Sequence, residues 1–280
     1  MRPDVATRLV MRQTFRYDYP SLIRDLDHHL MVLPPERHGD QVRTESTVEV
    51  RGAPAEVTES VDAFGNVALR VRASRVPAAI EFDVAVTVER GDGAGVPVCA
   101  VERRRLLAAS PLTSPDEGLR RAARVLLASG DAGFGLAHRI NAWVATTMRY
   151  GHDVTGVRTT AAEALALGAG VCQDYAHVMV ALCRLCGLPA RYVSGHMLGE
   201  GGSHAWVEVL LPSVTEPPAL VAVAFDPTND RLAGASYLTV AVGRDYADVA
   251  PTHGSYRGPA GGTLTVRKTL EAEAVQLVAC

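Results

Sequence analysis

The segment that decides the fold reads Gly170-Val-Cys172-Gln-Asp-Tyr-Ala-His177 and continues, mostly in apolar residues, as far as Cys186. A run that is apolar on almost every helical face predicts a helix that is buried on almost every face. The following Gly187-Leu-Pro189 predicts the end of this helix. Cys172 therefore stands at the N-terminus of a central helix, where unpaired backbone N–H groups and the helix dipole favour a thiolate.

Two further candidates for chemistry follow downstream. His204 comes after the glycine-rich segment 199–203 and directly before the run 205–211, which predicts a strand. Asp226 ends a second apolar run, and Pro227 predicts where that strand stops pairing. A thiolate, an imidazole that exchanges protons and a carboxylate that orients it are the groups that acyl transfer needs. Taken singly, Cys172 could be a buried structural thiol and Asp226 part of a plain turn.

These pieces resemble the transglutaminase-like superfamily, whose members are related to papain-type cysteine enzymes. The matching segments are Gly170–His177, 187–195, Ser203-His204-Ala-Trp206, Phe225-Asp226-Pro-Thr-Asn229, 242–251, Tyr17-Asp-Tyr-Pro20 and Asp62-Ala-Phe-Gly-Asn66. The resemblance implies that Cys172 is the nucleophile, that His204 is the base and acid, and that Asp226 is the orienting carboxylate. It also implies that a β-rich domain precedes the catalytic core.

Four residues near these motifs are candidates for substrate binding. Gln173 and Tyr150 are candidates for the second oxyanion donor beside the Cys172 N–H. Tyr150 and Trp206 flank the motif pieces and could line the pocket, although aromatic packing explains them equally well. His196 stands where the family often has a tyrosine, so it could face the cleft or pack inside.

Periodicity divides the chain into a β-rich part and a mixed part. Alternating runs at 46–50, 68–72 and 80–88, separated by turn residues, predict an antiparallel, sandwich-like domain over residues 1–108. Helices are predicted over 115–128, 135–148 and 160–167, before the helix of Cys172, and strands follow from Ala190 to about residue 268. This order predicts an α+β transglutaminase-like (papain-like) core over 109–280, in which the central helix packs on an antiparallel sheet.

Composition excludes several classes of protein. A net charge of −3 and 5% aromatic residues give no nucleic-acid footprint. No stretch approaches the ~20 apolar residues that span a bilayer, and the N-terminus lacks the apolar core of a signal peptide. The five cysteines, at positions 99, 172, 183, 186 and 280, do not look like a disulfide framework. We therefore expect a cytoplasmic protein with neither a membrane nor a nucleic acid as partner.

The spacing of Cys183 and Cys186 is also found in zinc and redox sites. A zinc site needs four ligands, and no second pair accompanies this one, so buried packing is the better interpretation and we expect no metal and no organic cofactor. The sequence predicts a cysteine-nucleophile enzyme that acts on an amide bond of a peptide, protein or small amide through a thioester acyl-enzyme. The simplest form is a transglutaminase-like cysteine protease or amidase. The alternatives are an amine-resolved transglutaminase or amide ligase, a binding module that keeps the fold without catalysis, and a zinc-dependent hydrolase.

Overall fold

The structure, a computed structural model, describes residues 5–91, 96–98, 100–213, 219–259 and 261–276. Its α-helices are α1 (Ala100–Leu107), α2 (Glu117–Leu127), α3 (Gly133–Thr147), α4 (Ala161–Leu167) and α5 (Cys172–Leu185). Its strands are β1 (Val5–Asp18), β2 (Ile23–Leu33), β3 (Arg37–His38), β4 (Gln41–Arg51), β5 (Glu56–Val61), β6 (Val67–Val76), β7 (Ala79–Arg90), β8 (Val96–Val98), β9 (Arg149–Tyr150), β10 (Ala169–Gly170), β11 (Ala190–Met197), β12 (His204–Pro212), β13 (Leu220–Asp226), β14 (Arg231–Leu232), β15 (Tyr237–Gly243), β16 (Thr252–Arg257) and β17 (Thr263–Gln276). The predicted α+β class is confirmed.

The N-terminal part consists of two antiparallel sheets that share one hydrophobic core. One sheet has the order β17-β1-β7-β4-β3 and the other the order β16-β2-β6-β5. Every second residue of β7, from Ile80 to Val88, is buried, as the alternating sequence predicts. Phe15, Phe82 and Leu69 belong to the same core cluster, so the two sheets face each other as a sandwich.

The second part places the predicted central helix against a sheet. The strand order is β14-β13-β12-β11-β15, and β8 pairs with β13. Helix α5 is buried continuously from Gln173 to Arg184, because α2, α3 and α4 cover one side of it and β11 and β12 the other. The end of the helix is also as predicted: it stops at Leu185, and Gly187 has a φ of +79°.

Strand pairing does not follow the predicted division between residues 1–108 and 109–280. Strands β16 and β17 lie in the predicted second domain, but β16 pairs with β2 and β17 pairs with β1. Conversely, β8 and α1 precede residue 109 and contact β13, β11 and α5. A strand pattern shows that a segment needs a partner but does not say which sheet supplies it. The sandwich therefore includes the C-terminal strands β16 and β17, and the mixed part includes β8 and α1.

Side-chain amides of the sandwich hold the open edge of β15. Gln41 Nε2 donates to the Thr239 carbonyl at 2.8 Å, and the Thr239 N–H donates to Gln41 Oε1 at 2.9 Å. Asn66 makes the same double contact with Val242, at 2.8 Å in both directions. The amides thereby replace a neighbouring strand, which satisfies backbone groups that would otherwise be unpaired at a buried edge.

Helix bounds differ little from those predicted. Helix α2 begins at Glu117 rather than residue 115, because Asp116 is the capping residue and accepts from the Leu119 N–H at 2.8 Å. Helix α1 was not predicted. Within the described residues, none of the helices combines the length and the apolar character that crossing a bilayer would require.

A buried ion triad joins the two parts behind the mixed sheet. Glu208 of β12 contacts Arg191 of β11 and His38 of β3, each at 2.7 Å. Burial by itself would raise the pKa of Glu208, but the charges of His38 and Arg191 outweigh it and hold that pKa well below its usual value. The carboxylate is therefore ionised and depends on both partners.

Replacing Glu208 by Ala should lower the free energy of unfolding by about 3–5 kcal/mol, because a buried guanidinium loses its carboxylate partner. Urea unfolding followed by circular dichroism measures this loss. The control is Glu117→Ala, which breaks a solvent-exposed pair with Arg124 and should change stability little. Equal effects of the two substitutions would contradict the importance of the triad.

Candidate active site

Cys172 is the first residue of α5, as predicted, and the chain around it is locked by one carboxylate. Asp174 Oδ2 accepts the Val171 N–H at 2.8 Å and the Thr155 hydroxyl at 2.6 Å. A Cβ at Gly170 would lie 2.5 Å from the same carboxylate, so glycine is required there. Because Cys172 begins the helix, its own N–H has no intrahelical acceptor.

Asp226 and His204 meet at the ends of adjacent strands, β13 and β12. His204 Nε2 lies 2.8 Å from Asp226 Oδ2. The same oxygen accepts from Tyr237 Oη at 2.6 Å and from Asn229 Nδ2 at 2.8 Å. Asp226 Oδ1 accepts the Thr228 N–H at 2.9 Å. These donors hold a fully buried carboxylate and lower its pKa, against the opposing effect of burial.

His204 is buried but stabilised as a cation. Burial alone would lower its pKa, whereas the hydrogen bond and charge of Asp226, together with those of Cys172, raise it well above the usual value. Cys172 thus acts on His204 as a neighbouring group that favours the charged imidazole. The structure thus brings Cys172, His204 and Asp226 into one site, with Nε2 of the imidazole bound to Asp226 and Nδ1 not engaged by that carboxylate.

A second carboxylate approaches the free nitrogen of His204. Glu200 Oε2 lies 3.2 Å from His204 Nδ1, and the Glu200 side chain is 40% exposed. Nδ1 is buried and makes no hydrogen bond of regular geometry with a described residue. Glu200 therefore lies beside the ring nitrogen that Asp226 does not engage.

Of the four predicted substrate-binding residues, Tyr150 is the one that is substantially exposed. Its side chain is 47% exposed. Partial burial raises its pKa, and the nearby charges of Cys172 and Glu200 add to this effect. Gln173 is nearly buried, and its Nε2 donates to the Gly156 carbonyl at 3.4 Å. Gln173 thus ties the 151–159 loop to the helix start.

The other two predicted substrate-binding residues are buried behind the site. Trp206 is 1% exposed, and its ring centroid lies 6.1 Å from that of His204 and 5.2 Å from that of Tyr237. His196 is also buried, and its Nδ1 lies 3.3 Å from the Gly202 carbonyl. Burial lowers the pKa of His196 to about 3, with a further effect from Lys268. In place of the predicted substrate contacts, Trp206 backs the imidazole and His196 lies under the 199–203 loop.

Sequence reasoning missed three residues of the site: Tyr237, Asn229 and Glu200. Asn229 follows Asp226 by three residues, a spacing at which side chains cap a turn. Glu200 precedes His204 by four residues. A carboxylate in the glycine-rich segment directly before a candidate histidine is the sequence feature that could have indicated this contact. Tyr237 comes from a different strand, and no local pattern points to its contact with Asp226.

A cavity lies near the site but does not include the reactive groups. A cavity of about 550 Å³ lies between the mixed sheet and the sandwich, lined by Trp206, Tyr237 and Glu208 among others. Neither Cys172 nor His204 lines it, so it lies behind the triad. Among the described residues no cluster of three or more His, Cys, Asp or Glu side chains is arranged to hold a metal ion. Residues 214–218, between β12 and β13, lie outside the described residues.

Iodoacetamide should modify Cys172 before Cys183 or Cys186. Cys183 is fully buried, which raises the pKa of its thiol far above the usual value, and burial raises the pKa of Cys186 to about 11. Cys172 is partly exposed beside the imidazolium. Peptide mapping after limited labelling at pH 6.5 measures the order. Equal labelling of Cys186 would contradict the assignment; Cys99 and Cys280 lie outside the described residues.

Replacing Asp226 by Asn should lower the pKa of His204 by about 1–3 pH units, because burial then acts without the opposing carboxylate. NMR titration of the His204 ring, in a Cys172→Ala background that removes the thiolate, measures the change. The control is Asp248→Asn, which alters a carboxylate paired with Arg244 instead. An unchanged His204 titration would show that Asp226 does not govern its charge.

Two family models match this chain. The transglutaminase-like superfamily core matches residues 120–217, and the bacterial transglutaminase-like N-terminal region matches residues 9–89. An uncharacterized protein of Mycobacterium leprae is 37% identical over 134 residues, which cover 44% of this chain and 45% of that protein. An uncharacterized protein of Mycobacterium tuberculosis (strain ATCC 25618 / H37Rv) is 38% identical over 120 residues, which cover 39% of this chain and 38% of that protein. The chain spans less than half the length of these relatives.

The fold is shared with a solved structure described as that of a putative cysteine protease from Cytophaga hutchinsonii. The two chains superpose with a TM-score of 0.78 at 21% sequence identity, over 98% of this chain and 93% of the other. At that identity the likeness concerns the fold. The family matches, which together cover more than half of the residues, agree with it: the chain belongs to the transglutaminase-like superfamily and carries the bacterial N-terminal region of that family ahead of the core.

Proposed function

We propose that this protein is a cysteine-nucleophile acyl-transfer enzyme that acts on an amide bond, most simply as a transglutaminase-like cysteine protease or amidase. The observation that carries the proposal is the arrangement of His204. Its Nε2 is held by the buried Asp226 carboxylate at 2.8 Å, while Nδ1 remains available on the side of Cys172. An imidazole fixed in one orientation beside a helix-start thiol is the requirement for nucleophilic catalysis by cysteine.

The geometry supports a two-step reaction. The Cys172 thiolate attacks the amide carbonyl, and the N–H of Cys172 donates to the developing oxyanion. His204 gives its Nδ1 proton to the leaving nitrogen, the C–N bond breaks and a thioester forms. In the second step the oxygen of water or the nitrogen of an amine attacks the thioester carbon while Nδ1 takes its proton. A C–O or C–N bond forms, the C–S bond breaks, the acid or amide leaves, and the thiolate–imidazolium pair is restored.

The hydrogen bonds around the buried Asp226 carboxylate favour a catalytic role over that of a binding module. One buried carboxylate accepts hydrogen bonds from four residues, Tyr237, Asn229, Thr228 and His204. Burying a charge costs desolvation free energy, and apolar side chains of similar size can stabilise a fold as well, so this arrangement favours a chemical role. The proposed substrate is a peptide, protein or small amide that reaches Cys172 beside the half-exposed Tyr150. The cytoplasmic location stays a prediction.

Cys172→Ala and His204→Ala should each reduce turnover of an activated acyl ester by about 10³-fold or more, whereas Asp226→Asn should lose less, because it only orients the imidazole. Mass spectrometry of the wild type with p-nitrophenyl acetate should show one acetyl group on Cys172.

The matched control for the nucleophile is Cys186→Ala, which removes a partly buried thiol just beyond the end of the same helix and should retain turnover. All variants should keep the circular dichroism spectrum of the wild type. Wild-type turnover in Cys172→Ala would overturn the proposal.

A further inference from the structure

Glu200 is a charged group that the mechanism above does not use. Its carboxylate lies 3.2 Å from His204 Nδ1, and its charge reaches both Tyr150 and Arg231. The loop that carries it contains Gly199, with a φ of +88°, and Gly201 and Gly202, beside which a Cβ would meet nothing within 4 Å. The carboxylate is therefore a partly exposed group beside the imidazole, on a glycine-rich loop with room to adjust.

The position of Nδ1 fixes where the reacting nitrogen must be. To exchange a proton, the leaving or attacking nitrogen has to come within about 3 Å of Nδ1. Because Glu200 Oε2 is itself 3.2 Å from that atom, the reacting nitrogen lies no more than about 6 Å from the carboxylate. A charged group a few bonds beyond that nitrogen is therefore within reach of Glu200.

The charges around the acyl-enzyme leave this side of the cleft negative. In the thioester the Cys172 sulfur is neutral, and His204 is neutral after giving up its proton. Asp226, Glu200 and Arg231 remain charged. The Arg231 guanidinium is turned toward Tyr237, since its Nε donates to Tyr237 Oη at 2.8 Å. Of these three charges, Glu200 is the one that lies partly exposed beside Nδ1, because Asp226 is buried on the Nε2 side of the ring and Arg231 is turned toward Tyr237.

We propose that Glu200 determines specificity on the leaving-group and acceptor side of the cleft, by favouring an amine that carries a second, positively charged group. This inference rests on the proposed acyl-transfer function. By microscopic reversibility, the leaving amine of the first step and the acceptor amine of the second occupy the same position. A peptide with a lysine or arginine after the scissile bond and a diamine acceptor share the required chemistry.

In the acceptor reaction the neutral amine nitrogen attacks the thioester carbon, and a C–N bond forms as the C–S bond breaks. One N–H proton passes to His204 Nδ1, and sulfur leaves as the thiolate that pairs with the new imidazolium. The second, cationic end of the acceptor takes no part in bond making and stays beside Glu200. The step needs no other reactant.

The test uses acetyl-enzyme formed on Cys172 from p-nitrophenyl acetate. It is resolved in parallel by three amines of equal chain length: (4-aminobutyl)trimethylammonium, 4-amino-1-butanol and 4-aminobutanoate. Mass spectrometry measures the rate at which each restores the free thiol, corrected for the fraction of unprotonated amine. We expect the order cationic, neutral, anionic in the wild type.

The variants separate charge from shape. Glu200→Gln should reduce the cationic-to-neutral rate ratio by about 3- to 5-fold, the size expected for a partly exposed charge pair. The ratio is the measured quantity because an effect of the substitution on His204 itself changes the rates of both amines together. Glu200→Lys should reverse the preference. The control Glu273→Gln alters an exposed carboxylate in β17 and should keep the wild-type ratio.

The outcomes distinguish the two proposals. If Cys172 is not acetylated, the proposed function fails, and this inference fails with it. If the acetyl-enzyme forms but the three amines react alike, or if Glu200→Gln keeps the wild-type ratio, the role of Glu200 is overturned while the acyl-transfer function stands.

Discussion

The buried carboxylate of Asp226 is the constraint on which the rest of the site depends. A carboxylate with no exposed surface is strongly unfavourable unless hydrogen bonds and an opposite charge replace its water. Here they come from the turn after β13, from Tyr237 on β15 and from His204 on β12. Satisfying this one group fixes three elements relative to one another and holds the imidazole with Nδ1 toward Cys172.

The sandwich takes part in this arrangement through the edge of β15. Gln41 and Asn66 each exchange two hydrogen bonds with the backbone of that strand, and Arg90 donates to the carbonyl of Tyr237. The strand that supplies the Tyr237 hydroxyl is therefore positioned from both sides, by β11 and by the sandwich. This explains why the Asp62–Asn66 turn belongs to the recognisable pattern although it lies far from the thiol in sequence.

Two loops border the thiol in different ways. The 151–159 loop is fastened to the start of α5 through Thr155 and Gly156, so it forms a fixed wall. The 199–203 loop is rich in glycine, and its carboxylate, Glu200, contacts the imidazole from the solvent side. A fixed wall on one side and an adjustable charged loop on the other are compatible with the proposed acyl transfer.

Sequence by itself determined the local structure around each reactive group. The largely apolar run after Cys172 predicted a buried helix, and the glycine-rich segment before His204 and the proline after Asp226 predicted the ends of two strands. The hydrophobic periodicity of a helix or strand and the residues at which it begins and ends depend on the local sequence. The predicted positions of Cys172, His204 and Asp226 on their elements therefore agree with the structure. The resemblance to the superfamily rested on the same short segments.

Only the tertiary structure decided which distant groups meet. The pairing of β16 and β17 with the sandwich, the contact of Tyr237 with Asp226, and the burial of Trp206 and His196 behind the site depend on partners far away in the chain. A strand pattern shows two faces but not which neighbour covers each. The residues that tune the imidazole therefore became visible once the sheet order placed β15 beside β11, because hydrogen bonding and desolvation act through space rather than along the sequence.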